Sequence, residues 1–248
     1  MGDTMNRVIL GGLCLALSSL AMADVVGLRA GVSGWNAGVS GDVQSGPAPV
    51  DVESDLGFSD DPHVQAYVSL EHPVPLIPAV KLQFTSLDSE ATGQLNQSFE
   101  GIAFDGATTT TADLTHADLL VYWELLDNVV SLDLGLQGKR VSGELVVTGT
   151  SGGDTAVASV DIDETVPLAY AAVGADLPLT GLGVYVSAAG VKYEDNQVLD
   201  LNAKVFYDIK LIGFELGWRE LRLQLDDIEG MDADLAIGGP YAGINLHF

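Results

Sequence analysis

Leu199-Asp200-Leu201-Asn202-Ala203-Lys204-Val205-Phe206-Tyr207-Asp208 has a strict period of two. Leu199, Leu201, Ala203, Val205 and Tyr207 share one face of a strand, and Asp200, Asn202, Lys204, Phe206 and Asp208 share the other. Past Lys210-Leu211 the pattern returns: Ile212, Phe214, Leu216 and Trp218 alternate with Gly213, Glu215 and Gly217. Two alternating runs joined by two residues read as a β-hairpin. The same period recurs upstream at Val26–Ser33, Val64–Glu71, Val80–Thr85, His116–Leu125 and Val130–Gln137.

Alternation fits a soluble β-sandwich as well as a membrane barrel. Three features select the barrel. The runs are long, as tilted spanning strands must be. A targeting segment precedes them. The connections alternate between short and long. The fold class predicted is therefore all-β: a transmembrane antiparallel up-and-down β-barrel of about ten strands, with eight or twelve as alternatives. The strands are placed near 25–36, 63–71, 79–87, 113–125, 129–145, 161–176, 182–194, 197–209, 212–225 and 231–248. His72–Pro78, Leu126–Asn128, Leu177–Gly181 and Lys210-Leu211 read as periplasmic turns. Stretches 37–62, 88–112 and 146–160, rich in Gly, Ser, Thr and Asp, read as long extracellular loops. The apolar parity breaks after Trp218 and again between Ile237 and Ala242. A β-bulge is expected at each break, the second at Gly238-Gly239-Pro240, because a one-residue slip would turn a lipid-facing row inward.

Residues 1–23 read as a signal peptide. Arg7 supplies its short basic region, Val8–Leu20 is its apolar core, and Ala21-Met22-Ala23 is its cleavage site, ahead of a mature barrel domain over 24–248. The only cysteine, Cys14, falls inside it, so the mature chain has no thiol for disulfides or metal ligation. No later stretch is long and apolar enough for a membrane helix, and a spanning chain without helices must close into a barrel. Composition agrees: 47% hydrophobic residues and a mean hydropathy of +0.28 accompany a net charge of −25. With 10 Lys and Arg in all, nucleic acid is excluded as a partner.

Tyr241-Ala242-Gly243-Ile244-Asn245-Leu246-His247-Phe248 ends on an aromatic with apolar residues at alternate positions. It looks like the C-terminal signal read by the outer-membrane barrel assembly machinery. The segments His72-Pro73-Val74-Pro75-Leu76-Ile77-Pro78, Leu177-Pro178-Leu179-Thr180-Gly181-Leu182-Gly183 and Gly238-Gly239-Pro240-Tyr241-Ala242-Gly243 carry a further likeness. In them the chain resembles a poorly characterised family of small Gram-negative outer-membrane β-barrel proteins with a Gly-Gly pair near the C-terminus. More distantly it is similar to small porin-like barrels that pass hydrophobic solutes. The resemblance implies fold and residence in the cell outer membrane, and supplies no catalytic residues.

Parity turns Arg29, Lys81, Lys139 and Lys204 inward with Glu71, Asp118, Glu124, Asp133, Asp200 and Glu215. A ten-strand interior is little wider than one that side chains fill, so a plugged or narrowly wet lumen is expected over an open pore. Asp61 with His63, and His116 with Asp118, lie two apart on one face near a strand end. As a rim pair they would suit a hydrolase activating water. Catalytic triads, phosphate loops and zinc spacings do not occur, and no catalytic, cofactor-binding or metal-ligating residue is assigned. Acidic clusters at Asp51–Asp55, Asp60-Asp61, Asp161–Glu164 and Asp226–Glu229 make divalent cations candidate loop partners. Lipid, lipopolysaccharide and the assembly machinery are the other expected partners. Three functions follow: a structural or narrow-channel barrel without enzymatic activity, an adhesion or binding barrel working through the acidic loops, and a rim hydrolase.

Overall fold

The computed structural model describes residues 27–72, 74, 76–228 and 230–248. The segment read as a signal peptide, with its cleavage site, lies outside them. The strands in chain order are β1 (Gly27–Gln44), β2 (Val50–Asp51), β3 (Asp61–Glu71), β4 (Ala79–Ser86), β5 (Asp88–Leu95), β6 (Ser98–Phe99), β7 (Ile102–Ala103) and β8 (Gly106–Asp113). They continue with β9 (His116–Asp127), β10 (Val130–Ser151), β11 (Asp154–Asp176), β12 (Leu182–Tyr193), β13 (Asn196–Ile209), β14 (Ile212–Ile228) and β15 (Met231–His247).

Ten of these form the wall. β1, β3, β4, β9 and β10–β15 each pair antiparallel with their neighbours, and β15 returns to β1 from Arg29↔His247 to Gln44↔Asp232. Leu28 N donates to Phe248 O at 3.1 Å and Phe248 N to Leu28 O at 2.9 Å, tying the terminal strand to the first. Closure leaves no free edge in the wall. The tight turns expected at 72–78, 126–128, 177–181 and 210–211 all lie at this end, the periplasmic end in barrels with short turns on one side.

Apolar side chains on the outer face form a belt: Val68 and Leu82, Leu119 and Trp123, Leu134 and Leu136, Val184 and Val186, Val205 and Phe214, Leu216 and Trp218, Ile244 and Leu246 are all exposed. The inner face at the same height is polar, as expected. Higher up the two faces exchange character. On β10 the outward residues become Arg140, Ser142 and Glu144 while Leu145 and Val147 turn inward. On β14 they become Glu220, Arg222 and Gln224 while Leu221 and Leu223 turn inward.

This exchange corrects the bulge expectation. The β14–β15 register runs unshifted from Ile212↔Leu246 to Leu225↔Ala233, and the β1–β15 register is the same on both sides of Gly238-Gly239-Pro240. Leu221 and Ile237 are buried because the interior itself turns apolar above the membrane, not because the strand slips. The one shift in the lower wall lies between Leu132 and Asp133 on β10, opposite β9.

The loop expectation at 146–160 is also corrected. β10 and β11 pair without interruption from Val130↔Ala175 to Ser151↔Asp154, and only Gly152-Gly153, both at positive φ, turns the chain. Likewise 88–112 is mostly strand: β5 and β8 pair with each other, and β8 continues the sheet from β10. Segment 50–58 packs on β5, with Gln94 N donating to Asp55 O at 2.8 Å. The fit is close enough to need glycine on both sides. A Cβ on Gly93 would stand 2.0 Å from Asp55 O, and one on Gly57 2.2 Å from Thr92 O. These pieces enclose an extracellular head with its own core of Val43, Val50, Leu56, Leu95, Phe99 and Val147, each at most 3% exposed.

Candidate functional site in the barrel lumen

Period-two alternation on separate strands sends Gln65 from β3, Thr85 from β4, His116 and Asp118 from β9, Gln137 and Lys139 from β10, Asp200 from β13 and Arg219 from β14 into one layer of the lumen. All eight are buried. Arg219 is the hub. Its Nε and Nη2 donate to the two Asp200 oxygens at 3.1 and 2.7 Å, a bidentate grip. Its Nη1 donates to Gln65 Oε1 at 3.2 Å and Thr85 Oγ1 at 2.9 Å, and Nη2 lies 3.3 Å from His116 Nε2. Lys139 Nζ bridges Asp118 at 2.7 Å and Asp200 at 3.1 Å, and Gln137 donates to Asp118 at 3.0 Å. Two cations and two carboxylates thus balance in a layer that spans the bore from β3 to β14. Such groups are tolerable in low dielectric only because each has an opposite charge beside it.

Above this layer the lumen is apolar. Trp35, Leu168, Leu221 and Ile237 pack together, the Trp35 indole donates to Gly239 O at 3.1 Å, and the Arg219 guanidinium sits 5.4 Å from the Trp35 ring centre. Below it lies a cavity of about 60 Å³, room for a few waters, lined among others by Lys81, Tyr185, Ser187 and Lys204. Tyr67 and Asn245 donate to Glu215 at 2.6 and 2.7 Å, Lys204 pairs with Glu215 at 3.1 Å, and Tyr122 donates to Glu71 at 2.9 Å. The lower lumen is filled by aromatics lying over glycines on the neighbouring strand. Gly31 pairs with Tyr67, Gly183 with Phe206 and Gly217 with Tyr241, and a Cβ on any of these glycines would meet the ring at 2.5 Å or less. These glycines serve ring packing.

The charges expected to face inward do so. Arg29 lies 3.8 Å from Asp208, Tyr185 reaches Asp133 at 3.3 Å, and Glu124 pairs in register with Asp133 near the periplasmic mouth. Arg219 was missed by sequence reasoning. The parity of Gly213, Glu215 and Gly217 points to it directly, but the supposed bulge after Trp218 interrupted the count at that position.

The rim pairs are corrected. His116 is 2% exposed, held through Nδ1 to Leu114 O at 2.9 Å, and lies 3.8 Å from Asp118 inside the charged layer. His63 is buried against Trp35, ring centres 6.2 Å apart. Asp61 and His116 do open β3 and β9, but these ends form no open rim, because longer neighbouring strands and the head continue above them.

Among the described residues no group of three or more acidic, His or Cys side chains is placed to hold a metal ion. In the first acidic cluster the carboxylates fold their own turn. Asp51 Oδ1 accepts from the amides of Ser54 at 2.7 Å and Glu53 at 3.0 Å, and these bonds, led by Ser54, hold the Asp51 carboxyl below its usual pKa. Asp163 pairs with Arg140 at 2.9 Å on the outer wall.

No protein-family model and no curated protein sequence matches the chain. Among solved structures it is similar to the translocator domain of autotransporter NalP from Neisseria meningitidis, at 10% identity and TM-score 0.47 over 99% of this chain and 98% of that one. It is also similar to a Pseudomonas aeruginosa FadL homologue, at 10% identity and TM-score 0.40 over 91% and 90%. A third is Ail, the attachment invasion locus protein of Yersinia pestis, at 12% identity and TM-score 0.31 over 89% and 98%. The assignment rests on the molecule's own geometry rather than on these likenesses. A closed ten-strand antiparallel ladder, an apolar outer belt and a polar lumen make the chain a β-barrel of the bacterial outer membrane.

Proposed function

We propose that the protein is a non-conducting outer-membrane barrel, of the family marked by a C-terminal Gly-Gly pair, that serves as a rigid scaffold for a folded acidic head at the cell surface. The observation that carries this reading is the layer of Arg219, Lys139, Asp118 and Asp200 across the bore, capped by an apolar core. An ion passing through would have to break a hydrogen-bonded, charge-balanced cluster and then cross a greasy plug. Neither offers it compensation for lost hydration. The head's outer side has a groove of about 480 Å³ lined by Asp42, Asp195, Asp226, Asp232, Asp234 and Lys192, so a cationic partner is the class expected.

Planar-bilayer recording tests the closed lumen. Wild-type protein is expected to give no unitary current at low or high salt. Arg219→Ala with Lys139→Ala, which leaves Asp118 and Asp200 unneutralised, is expected to leak cations once the apolar cap is opened as well by Trp35→Ala. Steady unitary currents from the wild type would sink the reading in favour of a narrow channel, for which the lower cavity would be the vestibule.

A further inference from the structure

The end of the barrel that carries the short turns is apolar at its tips. Leu76 and Leu179 are 89% and 107% exposed, and Ile77, Val129, Leu211 and Phe248 are each more than half exposed. Three of the four turns are apolar at the tip; the fourth has Val129 beside exposed Asp127 and Asn128. Polar, glycine-rich tips are what water ordinarily selects.

Two further observations separate this ring from chance exposure. The first is the height of the belt above it. Outward apolar residues run for six residue steps on β10 (Val130 to Leu136) and on β14 (Ile212 to Trp218), and for ten on β13 (Leu199 to Ile209). At about 3.4 Å per step and a tilt of roughly 40°, ten steps rise about 26 Å and fill the roughly 25 Å apolar band of such barrels, whereas six rise only about 15 Å. On β10 and β14 the remainder does not come from the head side, where the outer face carries Arg140 and Arg222. There the apolar turns below the strands continue the belt.

The second is the turn backbone. In 177–182 Leu177 N donates to Leu182 O at 2.7 Å, Thr180 N to Leu177 O at 3.2 Å, Thr180 Oγ1 to Leu177 O at 2.8 Å, and Leu182 N to Thr180 Oγ1 at 3.1 Å. In 72–78 Ile77 N donates to Val74 O at 3.1 Å and Val74 N to His72 Nδ1 at 3.3 Å. These bonds satisfy part of the turn backbone internally, as an acyl environment demands of backbone outside a strand. Leu179 also holds φ +69°, a region that favours glycine. A leucine there is disfavoured in water by its backbone and by its side chain alike, and lipid removes the second objection.

From the continuity of belt and turns we infer that the three short turns at 72–78, 177–181 and 210–211 are seated in the acyl layer of the adjoining phospholipid leaflet. The barrel thus ends inside the membrane on that side and stands out of it only on the other. The ring is a lipid-docking surface, and Lys210, beside Leu211, is placed to reach headgroup phosphate.

Nitroxide depth measurements test this. The full chain carrying Cys14→Ser is refolded into phosphatidylcholine vesicles with one label at Leu76→Cys, Leu179→Cys or Leu211→Cys. Leu216→Cys in the belt and Arg140→Cys on the head are the references. Labels at the three turns are expected to collide with oxygen in preference to a water-soluble nickel chelate, as at position 216. Nickel-dominated collision, as at position 140, would overturn the inference and leave the ring as a surface for a periplasmic protein. A second measurement does not depend on labelling. The triple variant Leu76→Ser, Leu179→Asn, Leu211→Ser is expected to keep wild-type folding yield in short-chain vesicles and to lose several-fold in long-chain ones. An unchanged dependence on chain length would count equally against it.

Discussion

The lower and upper halves of β10, β11, β14 and β15 are the same strands in two solvents, and they invert each other. Below, Leu134 and Leu136 point out and Asp133, Gln137 and Lys139 point in; above, Arg140 and Glu144 point out and Leu145 and Val147 point in. Lipid below makes the outer face the apolar one. Water above makes it the polar one, and the apolar side chains gather inside with those of 50–58, β5 and β6. A parity reversal along an unbroken strand is therefore the boundary of the membrane written into the chain. A bulge would give the same sequence signature, and only the register separates the two.

The inversion predicts where substitutions hurt. The largest effect is expected in the lower interior. Arg219→Met strands two buried carboxylates with Lys139 alone and should cost about 3–5 kcal/mol, read by urea unfolding from vesicles. Adding Asp200→Leu should recover most of that loss, since an apolar replacement of a buried pair is often neutral. If the double variant is no better than the single, the layer is not a compensated cluster.

Next is the upper interior. Phe99, wholly buried in the head core, should cost roughly 3–5 kcal/mol as Phe99→Ala. The loss should appear as proteolysis of segments 45–60 and 88–112 with the membrane-embedded wall intact. Simultaneous loss of both halves would show that the head has no separate stability.

On the outer face the same change should depend on height. Leu216→Arg, in the belt, is expected to cost about 2–4 kcal/mol, whereas Gln224→Arg, on the same face of β14 above it, should fall within experimental error. Equal costs would misplace the boundary. The smallest effect is expected at Arg140→Ala. It removes a 2.9 Å pair with Asp163 whose side chains are 62% and 67% exposed, and such pairs contribute about 0–1 kcal/mol.

How much was legible in advance differs between the halves. In the lower barrel nearly every inward and outward residue could be assigned, because one period and one solvent govern all ten strands. Glu215, Asp118 and Lys139 were placed correctly by counting alone. In the upper barrel the same counting misled. Leu221 and Ile237 look like lipid-facing residues displaced by a slip, and 146–160 looks like a loop because Thr, Gly, Ser and Asp crowd it. Those residues belong to strands whose outer face meets water. Composition cannot distinguish that from irregular structure.

The sequence by itself determined the fold class, a count of about ten strands, the short turns and the polarity of the lower lumen. All of these follow from local periodicity read against a membrane, which needs no knowledge of which strand lies beside which. Tertiary structure decided the rest. That Arg219 grips Asp200, that the two histidines are buried in the lumen, and that the loops close over the bore as a second core depend on contacts distant in sequence, such as Arg219 to Gln65, 154 positions apart. Register and closure set those contacts, and both are properties of the whole sheet rather than of any strand in it.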